Sequence, residues 1–317
     1  MAAALVGHGA FIKLGKEVTW GTGVSTTISN RINSITVQKS QERNQKANLS
    51  VPASGVLGGL YDGFINVEGT IDMPIHFQGQ GLLFEMAFGG SVSVDSSGAP
   101  VYVSTFAPDI DLGSATLEVQ RGSGISNQME AFQGMKISTL SISCEAGGEM
   151  TASLDFIGKS SSARATNISS SFGTGASVLH FQAGQLSFNS VSYDVASMTY
   201  TINNNLERRD VLGSKETAEP TVGDVRTITM EVTLDVENNN LHTAYLDGTQ
   251  SDVSLTFTSG SDSIEFVLTN ALISEFSDPV NGFSRVQQTL TFTGLADSSN
   301  VGGKIVLTNG DSTGIAN

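Results

Sequence analysis

Two stretches of this chain alternate apolar and polar residues with the period of strands that bury one face. In residues 67–75, Val67, Ile71, Met73 and Ile75 are separated by Glu68, Thr70, Asp72 and Pro74; in residues 227–235, Ile228, Met230, Val232 and Leu234 are separated by Thr229, Glu231 and Thr233, and Asp235 follows. Each is preceded by a shorter strand pattern, at residues 33–37 and 198–202, and then by a polar loop. The first loop carries Glu42, Arg43 and Lys46, and the second, residues 203–225, carries Glu207, Arg208, Arg209, Asp210, Lys215, Glu216 and Glu219. Both are too polar to bury and longer than a hairpin needs. Long loops between strands usually exist to touch something, so Glu42, Arg43, Lys46, Glu207, Arg208, Arg209 and Asp210 are candidate contacts with another subunit. A solvated excursion is the competing reading.

Glu42-Arg43 and Glu207-Arg208 fall at the same place in the two halves, and Thr70, Ile71 and Met73 resemble Thr227, Ile228 and Met230. The chain reads as a duplication. A helix is expected at residues 80–88, where Leu82, Leu83, Met86 and Ala87 share a face and Gly89-Gly90 supplies a stop, and a second at 239–248, ended by Asp247-Gly248. Further strands are expected near 9–14, 101–106, 115–120, 132–144 and 150–157, and then near 180–188, 195–203, 253–258, 263–269, 271–276 and 285–292. Residues 159–176 are small and polar, a composition suited to a linker. The expected organisation is a first β unit at 1–158, a linker at 159–177, a second β unit at 178–294 and a C-terminal arm at 295–317 with one strand-like piece at 304–308.

Length and composition agree with two mainly β units. The chain has 317 residues, 39% hydrophobic and only 15% charged, with 35 Gly spread among many turn positions. Its formal net charge is −15, from 16 Lys plus Arg against 31 Asp plus Glu, so the surface as a whole repels phosphates and direct DNA binding is disfavoured. Cys144 is the single cysteine, which excludes an internal disulfide and a cysteine zinc site. The first residues lack a basic region and a sustained apolar run, and no stretch has the length of a membrane-spanning helix, so neither a signal peptide nor a membrane partner is expected.

Catalytic and cofactor chemistry finds little support. His8, His76, His180 and His242 have no metal-ligand spacing. Gly158-Lys159-Ser160 resembles the end of a phosphate-binding loop, but that motif needs a glycine where Ser153 stands. Asp109 and Asp111 fall far short of a calcium site, and the Asn48 and Asn167 glycosylation patterns lack a secretory context. No cofactor, no metal and no enzyme activity are expected.

Residues 198–212 with Asn203, Asn204, Asn205, Leu206, Glu207, Arg208 and Arg209, the return strand over 223–230, the helix at 239–248 and the closing strand over 282–294 together resemble the tail tube proteins of long-tailed, non-contractile (siphovirus-type) bacteriophages. The opening stretch 15–23, with Trp20, is also similar. The likeness covers most of the chain, and its specificity lies in the order of elements. It implies two tandem β-sandwich or barrel units, each with a short flanking helix and a long strand-loop-strand, whose strands join those of neighbours in a ring around a lumen. A duplicated chain would make trimeric, pseudo-hexameric rings. The implied role is a structural virion protein, assembled in the host cytoplasm, that stacks around the tape measure protein, meets tail terminator and tail-tip proteins, and conducts DNA as passing cargo. Strand alternation puts Glu68 and Asp72 on one face, and Glu231 and Asp235 on one face of the other unit, so these acids are candidates for the lumen; a solvated outer surface is the alternative. The rival function is a two-domain β-sandwich surface or carbohydrate-binding module, for which 7% aromatic residues and one Trp offer little material.

Overall fold

A computed structural model describes residues 4–45, 60–90, 92–172, 179, 181, 184–280, 282–283, 285–299 and 301–315. The first unit contains β1 (Phe11–Lys16), β2 (Ile28–Arg31), β3 (Ser34–Ile35), β4 (Gln38–Gln45), β5 (Leu60–Pro74), α1 (Gly81–Phe88), β6 (Ser93–Asp95), β7 (Tyr102–Phe106), β8 (Ala115–Gln120), β9 (Met129–Glu145), β10 (Thr151–Gly158) and β11 (Ser160–Ser161). The second contains β12 (Gln185–Phe188), β13 (Val191–Tyr193), β14 (Ser197–Asn203), β15 (Leu206–Arg209), β16 (Ala218–Val222), β17 (Thr227–Asp235), α2 (Asn240–Asp247), β18 (Gln250–Ser259), β19 (Asp262–Ser277), β20 (Gln287–Thr293) and β21 (Gly303–Asn309). The protein is mainly β, with antiparallel pairing throughout its strand ladders.

One run of strands organises the rest. β3 and β4 pair with β5, then β10, the second half of β9, β14, β17, β20 and the second half of β19 follow in order. Neighbours alternate in direction along the whole run. The β9–β14 pairing, from Glu145 opposite Ser197 to Thr139 opposite Asn203, is where the two halves of the chain meet. Two smaller layers cover the inner sheet: β2, β1, β8 and the first half of β9 over the first unit, and β13, β12, β18, the first half of β19, β21, β7 and β6 over the second.

β9 and β19 thus each belong to two layers, and the crossing point has a specific backbone cause. Gly134 in β9 has φ 69° and Asn270 in β19 has φ 49°. This left-handed region is open to glycine and tolerated by asparagine, and one such residue bends a strand enough to hand it from one sheet to another. Residues 263–276, which pattern alone divides into two strands, are therefore one kinked strand. The kinks fall at equivalent positions of the two halves.

The same pairings correct the alignment of the repeat. Ser153, Leu154 and Phe156 of β10 match Thr289, Leu290 and Phe292 of β20 in sequence; Ser153 faces Asp72 and Thr289 faces Thr233, which aligns Asp72 with Thr233. The likeness of Thr70-Ile71 to Thr227-Ile228 is displaced by an even number of residues, a slip that a period-two pattern hides because it keeps every side chain on its face.

A single apolar core runs between the layers. It includes Ile71, Phe84, Phe88, Phe106, Phe132, Leu154 and Phe156 from the first half and Tyr200, Met230, Phe266, Leu290 and Phe292 from the second. At its edge, Glu17 is buried but satisfied: its carboxylate accepts from Ser114 Oγ, Thr116 Oγ1 and the amides of Gly21 and Gly134. Trp20 follows this turn, donating to Gly134 O at 3.1 Å with the Lys159 ammonium over its ring.

Segments expected to be a linker and an arm are built into the sheets where they are described. Ser160 and Ser161 pair with Gln133 and Phe132 of β9, and β21 inserts between β19 and β7, joining strands of both halves. No helix among the described residues is long and apolar enough to cross a membrane.

Candidate functional site: an open polar sheet face and two docked hairpins

The inner sheet has one face in the core and one open. Alternation on each strand sends Ile71, Leu154, Ile142, Tyr200, Val232 and Leu290 inward and leaves Ser, Thr, Asp and Glu on the other side. The hydroxyls of that open face bond to one another and to carboxylates from strand to strand. Ser34 and Ser153 donate to Asp72, and Thr70 donates to Asp155 at 2.7 Å. Ser143 bonds Thr151 at 3.3 Å, Ser141 bonds Thr201 at 3.2 Å across the β9–β14 joint, and Thr233 bonds Thr289 at 3.1 Å. Thr291 reaches Glu275 at 3.4 Å and Thr293 donates to Ser274 at 2.9 Å.

Glu68 and Asp72 project from β5, and Glu231 and Asp235 from β17, on the side opposite the core. Asp155, Glu145 and Glu275, which the sequence reading did not single out, share it. The alternation of Thr151, Ser153 and Asp155 in β10 carried that signal. Within these strand segments the face carries Lys136, at the end of the β9–β10 ladder opposite Ile157, where Glu219 engages it; Arg285, just before β20, ties down Asp235 at 2.7 Å. The arrangement is a continuous acidic hydroxyl surface whose donors are largely engaged with its own acceptors.

The two polar loops are hairpin arms rather than irregular excursions. β4 and β5 extend the first beyond the sheet, and β15 pairs with β16 in the second. The β4 strand of the first arm is exposed along nearly its whole length, and the strands of the second bury only Leu206 and Pro220, so neither shows a sustained apolar alternation in sequence. Each lays a glutamate over a glycine: a Cβ at Gly63 would meet Glu42 at 2.7 Å, and one at Gly223 would meet the Glu207 carboxyl carbon at 2.3 Å.

The second arm docks on the first within the chain. Arg208 donates to Asn66 Oδ1, to Ile65 O at 3.2 Å and to Asp210 at 2.9 Å. Lys215 pairs with Asp62 at 2.6 Å, and the Ile65 amide donates to Lys215 O at 2.8 Å. The bond and charge of Lys215, with Arg43 adding a little, hold the Asp62 carboxyl below the ordinary aspartate range. Lys136 of β9 reaches Glu219 at 2.7 Å. Arg43 lies opposite Asp62 in the β4–β5 ladder and Arg209 opposite Ala218. Lys46 lies outside the described residues. No group of three His, Cys, Asp or Glu among the described residues is placed to hold a metal ion.

The protein is mainly antiparallel β, with one solvated acidic sheet face and two polar hairpin arms. The chain belongs to the phage tail tube protein family, whose profile matches residues 7–294, and it is accordingly a component of the virion tail. No curated protein sequence matches it.

Proposed function

We propose that this chain is the major, non-catalytic subunit of a siphovirus-type tail tube, polymerising as trimeric, pseudo-hexameric rings that stack around the tape measure protein and later conduct DNA. The observation that carries this reading is the open face of the inner sheet, with its carboxylates and mutually bonded hydroxyls. Placed around a lumen, such a face suits the passage of a polyanion. Lysine or arginine contacts to phosphates would hold DNA through counterion release, and a face rich in carboxylates whose Lys136 is engaged by Glu219 offers little such grip. At physiological salt the repulsion from its carboxylates fades over about 8 Å, so it prevents adhesion without opposing transit from afar. The arms bearing Glu42-Arg43 and Glu207-Arg208-Arg209 extend past the sheet and would contact neighbouring subunits, and tail terminator and tail-tip proteins would cap the stack. Assembly in the host cytoplasm accompanies this role.

The reading is tested by placing lysines at Asp72, Glu231 and Asp155. Tubes should still assemble, because these side chains lie off the core, and infection should lose DNA delivery while adsorption is kept. Unchanged delivery from tubes carrying all three lysines would remove the lumen assignment.

A further inference from the structure

The inner sheet contains one joint between its repeats and the two halves of a second. Within the chain, the outer edge of β14 is taken by β9, with Thr201 opposite Ser141 and Asn203 opposite Thr139. The pairings of the repeat assign an equivalent to each side of that joint. β14 meets β17 as β3 and β4 meet β5, since Thr201 faces Thr229 where Gln38 faces Glu68; β9 meets β10 as β19 meets β20, since Ser141 faces Ser153 where Ser277 faces Thr289. The strand equivalent to β14 is thus the β3–β4 strand, and the strand equivalent to the second half of β9 is the second half of β19. Among the described residues, 38–40 on one and 275–277 on the other have a ladder partner on one side only.

We infer that these two edges are the halves of one interface, and that β4 of one copy pairs antiparallel with β19 of the next, with Gln38 opposite Ser277 and Ser40 opposite Glu275. This rests on the tail-tube reading and names the surface through which its copies join. Direction permits it, because the eight-strand run alternates and its first and last strands are antiparallel.

Exposure says what is missing at the open edges. At the closed joint Cys144 and Leu140 of β9 and Met198 and Ile202 of β14 are buried. Their counterparts are not: Val280 is 73% exposed, Phe276 and Ile35 are half-buried, and Lys39 stands in water. The flanking helices repeat the contrast. The end of α1 is buried, and Asn204, just past the end of β14, donates to Ala87 O at 2.9 Å, whereas Leu246 at the same end of α2 is 68% exposed. A second copy presenting its β3–β4 edge would cover Val280, Phe276 and Leu246 together, as β14 covers their counterparts. The open face would then continue unbroken from copy to copy, because the register puts Gln38 and Ser277 on the same face as Thr201 and Ser141.

The test is a disulfide across the interface. Gln38→Cys and Ser277→Cys are placed together in a Cys144→Ala chain; both sites are exposed, and their counterparts Thr201 and Ser141 approach to 3.2 Å between hydroxyls. Oxidation of assembled protein should link chains into a ladder that ends at one closed species on a non-reducing denaturing gel and collapses to monomer on reduction. Each single variant should stay monomeric alone and give dimers when the two are mixed. The Ser40→Cys/Ser277→Cys pair, two positions out of register, should link at least about tenfold more slowly, because a disulfide demands closely opposed Cβ atoms. Equal linking of both pairs, or tubes visible by electron microscopy with no link between chains, would overturn the interface and leave the tail-tube function standing. Linked closed rings that never stack would keep the interface and count against the function, and neither links nor tubes at any concentration would contradict both.

Discussion

The two helices occupy equivalent places in the two halves and live in different surroundings. Every residue of α1 is buried, from Gly81 to Phe88, whereas in α2 only Leu241 is. The end of α1 is finished by the other half of the chain: Asn204 donates to Ala87 O, and Arg226, its charge disfavoured by burial, donates to Phe88 O at 3.2 Å and to Asp109 O at 2.8 Å. Carbonyls at a helix C-terminus need such donors when water is excluded. α2 closes itself with Gly248 in the left-handed region and leaves Tyr245 and Leu246 toward solvent. A helix that is apolar all round is made to be covered, and one with a single buried residue needs only its own sheet. The difference locates α1 at a joint already closed within the chain and α2 at one still open.

The comparison breaks most visibly if the helices respond alike to truncation. Phe84→Ala, which removes a ring packed edge-on to Phe106 with centroids 5.7 Å apart, should cost the folded subunit about 3–5 kcal/mol in denaturant titrations. Tyr245→Ala, at the half-open stack on Phe276, should cost no more than about 1.5 kcal/mol. Equal losses would mean that α2 is as deeply built into the subunit as α1.

A smaller loss is expected at the closed joint itself. Asn204→Ala removes the amide that serves Ala87 O at 2.9 Å and Ile137 O at 3.0 Å, and the orphaned carbonyls should cost about 1–3 kcal/mol, read from the thermal midpoint. Leu246→Asp sharpens the contrast from the other side. It should change subunit stability by no more than about 0.5 kcal/mol yet abolish tube formation; normal tubes would show that α2 stays exposed after assembly.

The least effect concerns the docked arms. Asp62 has its pKa lowered by Lys215, so its contribution is fully present above the ordinary value of 3.8 and is lost as pH falls through the depressed one. At neutral pH the arm of β15 and β16 should be docked, and acidification below the ordinary aspartate value should raise amide exchange at Ile65, whose N–H is bonded to Lys215 O. In Asp62→Asn that acid dependence should vanish, and its persistence would assign the change to another group.

Much of this was legible in the sequence where one face of an element is buried. β8, β10, β14, β17, the second half of β5 and both helices lie within a few residues of their expected positions because apolar spacing reports burial. The arms of β4, β15 and β16 were hidden since β4 is almost wholly exposed and β15 and β16 bury one residue each, Leu206 and Pro220, too few to set a period; the single course of β19 was hidden since only its backbone at Asn270 marks the bend. The candidate acids Glu68, Asp72, Glu231 and Asp235 could be put on faces by alternation, but which strands lie side by side decides that the faces are one surface. Arg208 looked outward in sequence because it is charged; in the structure it turns to Asn66 in the same chain.

The central claim is that the open acidic face lines a lumen, and the most direct measurement is electron microscopy of the concentrated protein, or of subunits added to purified tail tips, at a resolution that traces strands. The account predicts hollow tubes of stacked rings whose inner wall is the face carrying Asp72, Asp155 and Glu231. Tubes with that face on the outside, or isolated particles that also fail to add to tail tips, would contradict it.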